Sequence, residues 1–126
     1  MTNLESLRSL QMRIREATGY NRLLDLAIAQ ALLPGRHWTL GHPSHAPANY
    51  TLDPNGLGPC VALLEAVLPG CKWERDRCGS LRIWHPDNGA GPSIVFAPAN
   101  DCLTFLYAIV GALIAQEEAK HTEKAG

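Results

Sequence analysis

The stretch that decides the fold runs from Cys71 to His85 and has the sequence CKWERDRCGSLRIWH. Apolar and charged residues alternate on both sides of a central Cys-Gly-Ser break, which is the pattern of two paired strands joined by a tight turn. With Leu81 and Ile83 facing a core, the two-residue period of a strand sends Arg82 and Trp84 to the opposite face. The sequence therefore predicts a β-hairpin with one buried and one exposed face.

A third strand is predicted just after this hairpin. Residues 93–97, SIVFA, follow a loop in which an Asn-Gly pair and flanking prolines favour irregular backbone. Three consecutive strands predict a small, mainly antiparallel sheet, with Trp73 expected to help fill its core side. The run at 36–40, RHWTL, is a further short strand candidate.

Four helices are predicted around this sheet. The first begins at a capping box, TNLE at residues 2–5, in which side chains satisfy the free backbone donors of the first turn. The second spans 22–33 and ends at a Pro-Gly pair, and the third begins at Pro59. The last, 103–115, is apolar on every side, and such helices are buried on more than one side. Either the N-terminal helices or a second subunit must cover it, so a homo-oligomer is expected.

Length and composition predict one globular domain. The chain has 126 residues, of which 46% are apolar and 18% are charged, and such chains bury a single core. We expect this α+β domain to span 1–117, with a long loop rich in proline and glycine at 41–58 and a flexible polar tail at 118–126. Eleven basic and twelve acidic residues leave a net charge of −1. This balance argues against a general binder of nucleic acid or anionic membranes.

No secretory signal or membrane span is predicted. The N-terminal segment lacks a basic stretch followed by an apolar run, and the longest apolar run, 102–115, is shorter than the ~20 residues that a span needs. We therefore expect a cytoplasmic protein. In a reducing compartment its four cysteines would be free thiols.

Several local sequences resemble the phage ABA-sandwich domain, a family of small phage and prophage proteins. The segments that carry the resemblance are TNLESL at the start, ATGYNRLLDLAIAQAL in the second helix, YTLD at 50–53, ALLEAVLPGCKWERDR before the hairpin, and APANDCLTFLYAIVGALIAQ at the end. The loop at 41–58, with its PNGLGP segment, departs from the family pattern. The resemblance implies a three-layer α/β/α sandwich and a phage or prophage origin in a bacterial host cell. It implies no catalytic residue.

A cysteine nucleophile is one candidate for chemistry. Cys60 lies at the predicted start of the third helix, where the helix dipole and free N–H groups favour a thiolate. His85 comes later, at the end of a strand, and is the candidate base. No family signature surrounds the cysteine, so an ordinary buried cysteine is the simpler interpretation. A cysteine-dependent hydrolase using Cys60 and His85 is kept as an alternative function.

The histidines are candidates for a metal site. The possible ligands are His37, His42, His45, Cys71 and Cys78. No pair among them has the Cys-x-x-Cys or His-Glu-x-x-His spacing that places two ligands on one ion. We therefore predict neither metal ligands nor a cofactor.

A basic cluster with one tryptophan on the hairpin is the candidate binding site, comprising Lys72, Arg75, Arg77, Arg82 and Trp84. Arginine and aromatic side chains are typical of interface hot spots. Trp38 and Tyr50 are further aromatic candidates for a protein contact. Two acidic residues in the same stretch reduce the excess charge, so an ordinary solvated face is the alternative.

These patterns predict a phage or prophage accessory protein that acts by binding, inhibiting or sequestering a component of the bacterial host, such as a defence protein. The motivation is the resemblance, the small size and the lack of a catalytic constellation. The expected partner is a host protein or a small nucleotide-like ligand. A sponge for a small phosphorylated signal is a second alternative, because the loop at 55–58 precedes a helix whose N–H groups would hold an anion. That loop has no Walker or dinucleotide fingerprint.

Overall fold

The computed structural model describes residues 3–51, 58–75, 81–84, 93–95 and 101–125. Within these ranges the elements are α1 (Asn3–Glu16), α2 (Arg22–Leu32), a 3₁₀ turn (Pro43–His45), α3 (Gly58–Val67), β1 (Lys72–Arg75), β2 (Leu81–Trp84), β3 (Ser93–Val95) and α4 (Asp101–Ala125). This mixture of helices and antiparallel strands confirms the predicted α+β class.

The strands form an antiparallel sheet in the order β1-β2-β3. Trp73 pairs with Ile83 and Glu74 pairs with Arg82 across β1 and β2. Along β2 the side chains of Leu81 and Ile83 are buried, whereas Arg82 between them is exposed. The predicted pairing of the two strands and the assignment of their faces are therefore confirmed. The predicted turn between them lies outside the described residues.

Helix α4 is the central element of the core. It lies against β2 and β3, and its most extensive helix contact is with α1. All side chains of Cys102–Val110 are buried except Tyr107, which is half-buried. Phe105 is fully buried and meets Trp73 edge-on, with 5.0 Å between the ring centroids. The buried side chains of α1 that complete this core are Leu7, Leu10 and Ile14.

The other face of the sheet is open. Lys72, Glu74 and Arg82 are exposed there and Trp84 is half-buried. No helix among the described residues covers this face, and the helices pack instead through α4 on the opposite side. The third layer of an α/β/α sandwich therefore stays a prediction.

The apolar surface of α4 is covered by other elements of the same chain, because the sheet, α1 and α3 all pack against it. The requirement for a second subunit to cover this helix is thereby removed. By length and composition alone, Cys102–Ala119 would suffice to cross a membrane, and half of this window is buried inside the protein, as in the core helix of a folded domain. Cytoplasmic localisation stays a prediction.

The end of the last helix and the strand candidate at 36–40 differ from the prediction. Helix α4 continues to Ala125, so most of the predicted tail at 118–126 is helical, and an ion pair of 2.7 Å joins Arg8 to Glu118 at the start of that segment. Residues 36–40 are irregular rather than a strand. The Thr39 N–H donates to the His45 carbonyl, a bond within the loop rather than to a neighbouring strand.

Gly111 of α4 lies next to the side chain of Gln11 on α1. A Cβ atom at this position would lie 3.2 Å from Nε2 of Gln11, which is the mobile end of a flexible side chain. Because glycine in a helix interior destabilises by roughly 0.5–1 kcal/mol relative to alanine, we expect Gly111→Ala to increase the free energy of unfolding by about 0.5 kcal/mol in urea denaturation. The same substitution in a Gln11→Ala background serves as the control without the close contact. If Gly111→Ala lowered the free energy of unfolding in both the wild-type and the Gln11→Ala protein, the expected gain from helix propensity would be contradicted.

Candidate functional site

The exposed side of β1 and β2 brings together three of the five predicted binding residues, Lys72, Arg82 and Trp84. We call this surface the hairpin face and define it as Lys72, Glu74, Arg82 and Trp84. Lys72 stands directly across from Trp84, and Glu74 stands across from Arg82. The Cβ atoms of such cross-strand pairs lie about 5 Å apart. An ammonium group and an indole ring are therefore neighbours on an open sheet.

The charges of the hairpin face are partly paired. Nη2 of Arg82 lies 3.1 Å from Oε1 of Glu74, with 46% and 53% of the two side chains exposed. Exposed pairs of this kind contribute about 1 kcal/mol or less, so the arginine remains available to a partner. Its guanidinium lies 5.9 Å from the Trp84 ring centroid, at the outer limit of a cation–π contact. Lys72 has no ion-pair partner within the described residues, so the face has one excess positive charge.

The other two predicted binding residues stay a prediction. The backbone register pairs Arg75 with Leu81, and the side chain of Arg75 lies outside the described part of the structure. Arg77 lies outside the described residues.

Cys60 occupies the first turn of α3, as predicted, and is fully buried. Its Sγ donates a hydrogen bond of 3.2 Å to the Tyr50 carbonyl and lies 3.9 Å from the Cys102 carbonyl. Only the protonated thiol can donate in this way, and a buried thiol is closed to a substrate. This geometry is that of a core cysteine. His85 lies outside the described residues, so its pairing with Cys60 stays untested.

Three histidines, His37, His42 and His45, lie near one another. The ring centroids of His37 and His45 are 6.0 Å apart, and those of His42 and His45 are 5.4 Å apart. Nδ1 of His42 accepts a hydrogen bond from the Ser44 N–H and caps the 3₁₀ turn. In the part of the chain that the structure describes, no group of three His, Cys, Asp or Glu side chains has the geometry to hold a metal ion. The candidate ligand Cys78 lies outside that part.

The two other aromatic candidates have local structural roles. Tyr50 is buried in the core, and desolvation raises the pKa of its phenol above the ordinary value. Trp38 is half-buried, and its indole N–H donates to the Leu33 carbonyl at 2.9 Å. The Arg36 guanidinium covers its ring at 4.8 Å from the centroid. Neither residue belongs to the hairpin face.

A partly buried polar cluster holds residues 47–51 of the long loop against α2, and sequence analysis did not identify it. We call it the α2 clamp and define it as Asn21, Arg22, Asp25 and Thr51. Asp25 and Thr51 are fully buried. Oδ1 of Asp25 accepts from the backbone N–H and from the hydroxyl of Thr51, both at 2.9 Å, and its Oδ2 accepts from Arg22 at 3.1 Å. The buried carboxylate is therefore paired and hydrogen-bonded, as buried charges require.

Arg22 extends the clamp to the preceding loop residues. Its guanidinium donates to the Pro47 and Ala48 carbonyls at 3.0 and 3.1 Å and to Oδ1 of Asn49 at 2.8 Å. The planar fork of arginine suits such multiple contacts. An acidic residue within the apolar stripe of a helix, with an arginine three positions earlier, is the sequence signal that would have indicated this cluster.

Burial raises the pKa of the Asp25 carboxyl above its ordinary value, and the hydrogen bonds from Thr51 and Arg22 limit that rise. Desolvation disfavours the ionised form, whereas donors aimed at the carboxylate favour it. The cluster faces loop backbone rather than an open cavity. We therefore assign it to the stability of the fold rather than to catalysis.

A groove of about 720 Å³ runs between α1 and α2. Its lining residues are Glu5, Ser6, Leu7, Ser9, Leu10 and Arg13 on α1, with Ala27, Gln30, Ala31 and Pro34 on the side of α2. Leu7 and Leu10 form a buried apolar floor, while Glu5 and Arg13 are exposed. The groove lies on the side of α1 away from the sheet, since α4 lies between them.

The hairpin face and the α1–α2 groove are thus two exposed surfaces of the described structure. The chain matches no protein-family model, no curated protein and no solved structure. The resemblance to the phage ABA-sandwich domain accordingly stays a prediction.

Proposed function

We propose that this protein acts by binding another protein through the hairpin face. The observation that supports the proposal is the cross-strand placement of Lys72 beside Trp84, with Arg82 next to both, on a sheet face that no described helix covers. An aromatic ring flanked by cations is the composition of an interface hot spot. The face is open rather than concave, which suits a protein surface better than a small molecule.

The chemistry of the hairpin face defines the partner surface that it fits. Trp84 would enter a shallow apolar depression. Lys72, which has no ion-pair partner within the described residues, would meet a carboxylate at its rim. Arg82 is held by Glu74 in an exposed ion pair, and a second carboxylate would share its remaining donors. Acidic rim charges mainly increase the rate of association, whereas the buried ring limits dissociation.

The biological setting belongs to the same proposal and rests on the resemblance. A phage or prophage accessory protein of this kind would bind a bacterial host protein in the cytoplasm, such as a defence component, and inhibit or sequester it. The three-layer α/β/α arrangement also belongs here. In this arrangement helices of the same chain lie on both sides of the sheet, as the resemblance implies.

A small nucleotide-like ligand is the second candidate partner, because an aromatic ring beside a cation is also the pair of side chains that a nucleotide would contact. A base would stack on the Trp84 ring and a phosphate would contact Lys72, which is how single nucleotides are held on aromatic surfaces. Purified protein would then retain a compound with nucleotide absorbance. A protein partner instead predicts a retained polypeptide.

The decisive experiment compares variants by native mass spectrometry after capture from a bacterial host lysate. We expect wild-type protein to retain a host protein, and Lys72→Glu and Trp84→Ala each to weaken its binding by about tenfold or more. Arg15→Glu, an equal charge reversal on an exposed site of α1, is the matched control and should bind normally. Circular dichroism checks that each variant is folded.

Retention of the same host protein by the folded Lys72→Glu/Trp84→Ala double variant would exclude the hairpin face. Retention of a nucleotide alone, lost in the same double variant, would replace the protein partner by the small ligand.

A further inference from the structure

One face of α1 has no partner within the described chain. Its buried residues point toward α4, while Glu5, Ser9, Met12 and Arg13 are exposed. Met12 is 50% exposed, although methionine is usually buried. At 100° per residue these four positions lie together on the side of the helix opposite the core. Three of these residues, Glu5, Ser9 and Arg13, also line the α1–α2 groove.

The charges of this face are arranged symmetrically. Glu5 and Arg13 both line the groove, and Ser9 is the midpoint between them in the sequence. Eight residues of α-helix place the two charged positions about 12 Å apart along the axis. A second α1 that runs antiparallel, with a two-fold axis at Ser9, therefore places each Glu5 opposite the Arg13 of the other copy. The face is complementary in charge to itself.

The shape of the groove also suits a helix. Ser6 and Ser9 are small, as are Ala27 and Ala31 on the opposite wall, so two helices can approach to the usual 8–10 Å. The partner's exposed Met12 would enter the groove near Ser6, which is its symmetry mate. Because Leu7 and Leu10 are already buried, the exposed Met12 of each copy supplies the apolar contact area, while the two ion pairs set the register.

We propose that a second copy of this chain docks its α1 antiparallel in the α1–α2 groove, forming a two-fold dimer with four helices at its interface. Such an isologous contact uses the same surface of both subunits and closes on itself. Because α4 separates α1 from the sheet, both hairpin faces remain accessible. If the proposed function holds, the dimer is a bivalent binder whose avidity exceeds the affinity of one face.

Charge reversal tests the two-fold symmetry directly. By analytical ultracentrifugation from about 1 to about 300 µM, a range suited to a small interface, wild-type protein should form dimers. Glu5→Arg alone and Arg13→Glu alone each place like charges opposite each other twice per dimer. We expect each to weaken self-association by about tenfold or more, with the effect decreasing in high salt. Arg15→Glu, on another side of α1, should leave self-association unchanged.

The mixture of the two single variants is the sharpest test. In a heterodimer of E5R with R13E, both contacts again join opposite charges, so an equimolar mixture should dimerise more tightly than either variant alone. A wild-type protein that is monomeric throughout the concentration range would overturn the proposal. So would a mixture that associates no better than its components. Hairpin-face variants should still dimerise, and folded monomeric α1 variants should still bind the host partner, so failure of this proposal is distinguishable from failure of the proposed function.

Discussion

Asp25→Ala is expected to lower the free energy of unfolding by about 3–5 kcal/mol, as found when one partner of a buried ion pair is removed. The substitution leaves the buried N–H of Thr51 without its acceptor and leaves the Thr51 hydroxyl only the Asn21 carbonyl at 3.3 Å. It also removes the carboxylate from Arg22. Unsatisfied buried donors are the main source of the loss. Urea denaturation followed by far-UV circular dichroism measures the change.

The matched variant Asp25→Asn separates the contribution of the Thr51 hydrogen bonds from that of the Arg22 ion pair. Its amide oxygen can still accept both Thr51 donors, but its NH₂ group faces the Arg22 guanidinium, so we expect a smaller loss of about 1–3 kcal/mol. Loss of less than 0.5 kcal/mol in Asp25→Ala, the range of ordinary surface substitutions, would show that the clamp does not hold the loop.

The pH dependence of this effect has a defined sign. The pKa of Asp25 is raised in the folded protein above its ordinary value of 3.8. At a pH between the ordinary pKa and the raised pKa, the folded state therefore binds more protons than the unfolded chain. The stability contributed by Asp25 therefore increases as the pH falls through the raised pKa and is fully present below 3.8. We expect the stability difference between wild type and Asp25→Asn to increase from about pH 7 to about pH 4. A difference that shrinks would show that the bonds from Thr51 and Arg22 outweigh desolvation.

Phe105→Ala should lower the free energy of unfolding by about 3–5 kcal/mol, the range for removing a buried phenylalanine ring. Phe105 is fully buried in α4 and meets Trp73 of β1 edge-on, so its loss opens a cavity where helix and sheet meet. Total stabilities of about 5–15 kcal/mol are normal for a domain, and this single change would remove a large part. The change is measured by urea denaturation, and near-UV circular dichroism should report the altered surroundings of Trp73.

Leu23→Ala is the control for this experiment. Leu23 is also a large apolar residue on a helix, but it is 65% exposed, so we expect a change within about 0.5 kcal/mol. Equal losses in the two variants would contradict the central position of α4 in the core.

Helix α4 contacts both the sheet and α1, and no extensive contact joins α1 to the sheet among the described residues. The proposed dimer contact on α1 and the proposed binding contact on the hairpin face therefore use different elements of the fold. If both proposals hold, dimerisation and partner binding do not compete.

Local sequence pattern was sufficient for the hairpin and the helices. The alternation around Leu81 and Ile83 identified the buried side of β2, and the apolar run at 103–115 identified the central helix. The placement of Lys72 and Arg82 with Trp84 on the exposed face followed from the same alternation. These features depend on neighbours within a few residues, and periods of 2 and 3.6 are visible in the chain itself.

Contacts between distant segments required the folded structure. The acceptor of the Thr51 N–H is Asp25, far away in sequence, and the buried Cys60 thiol donates to the Tyr50 carbonyl and lies near the Cys102 carbonyl. Which face of α1 remains free depends on where α2 and α4 pack. Such contacts depend on how whole helices and strands pack against one another, and the pattern of neighbouring residues in the sequence does not contain this information.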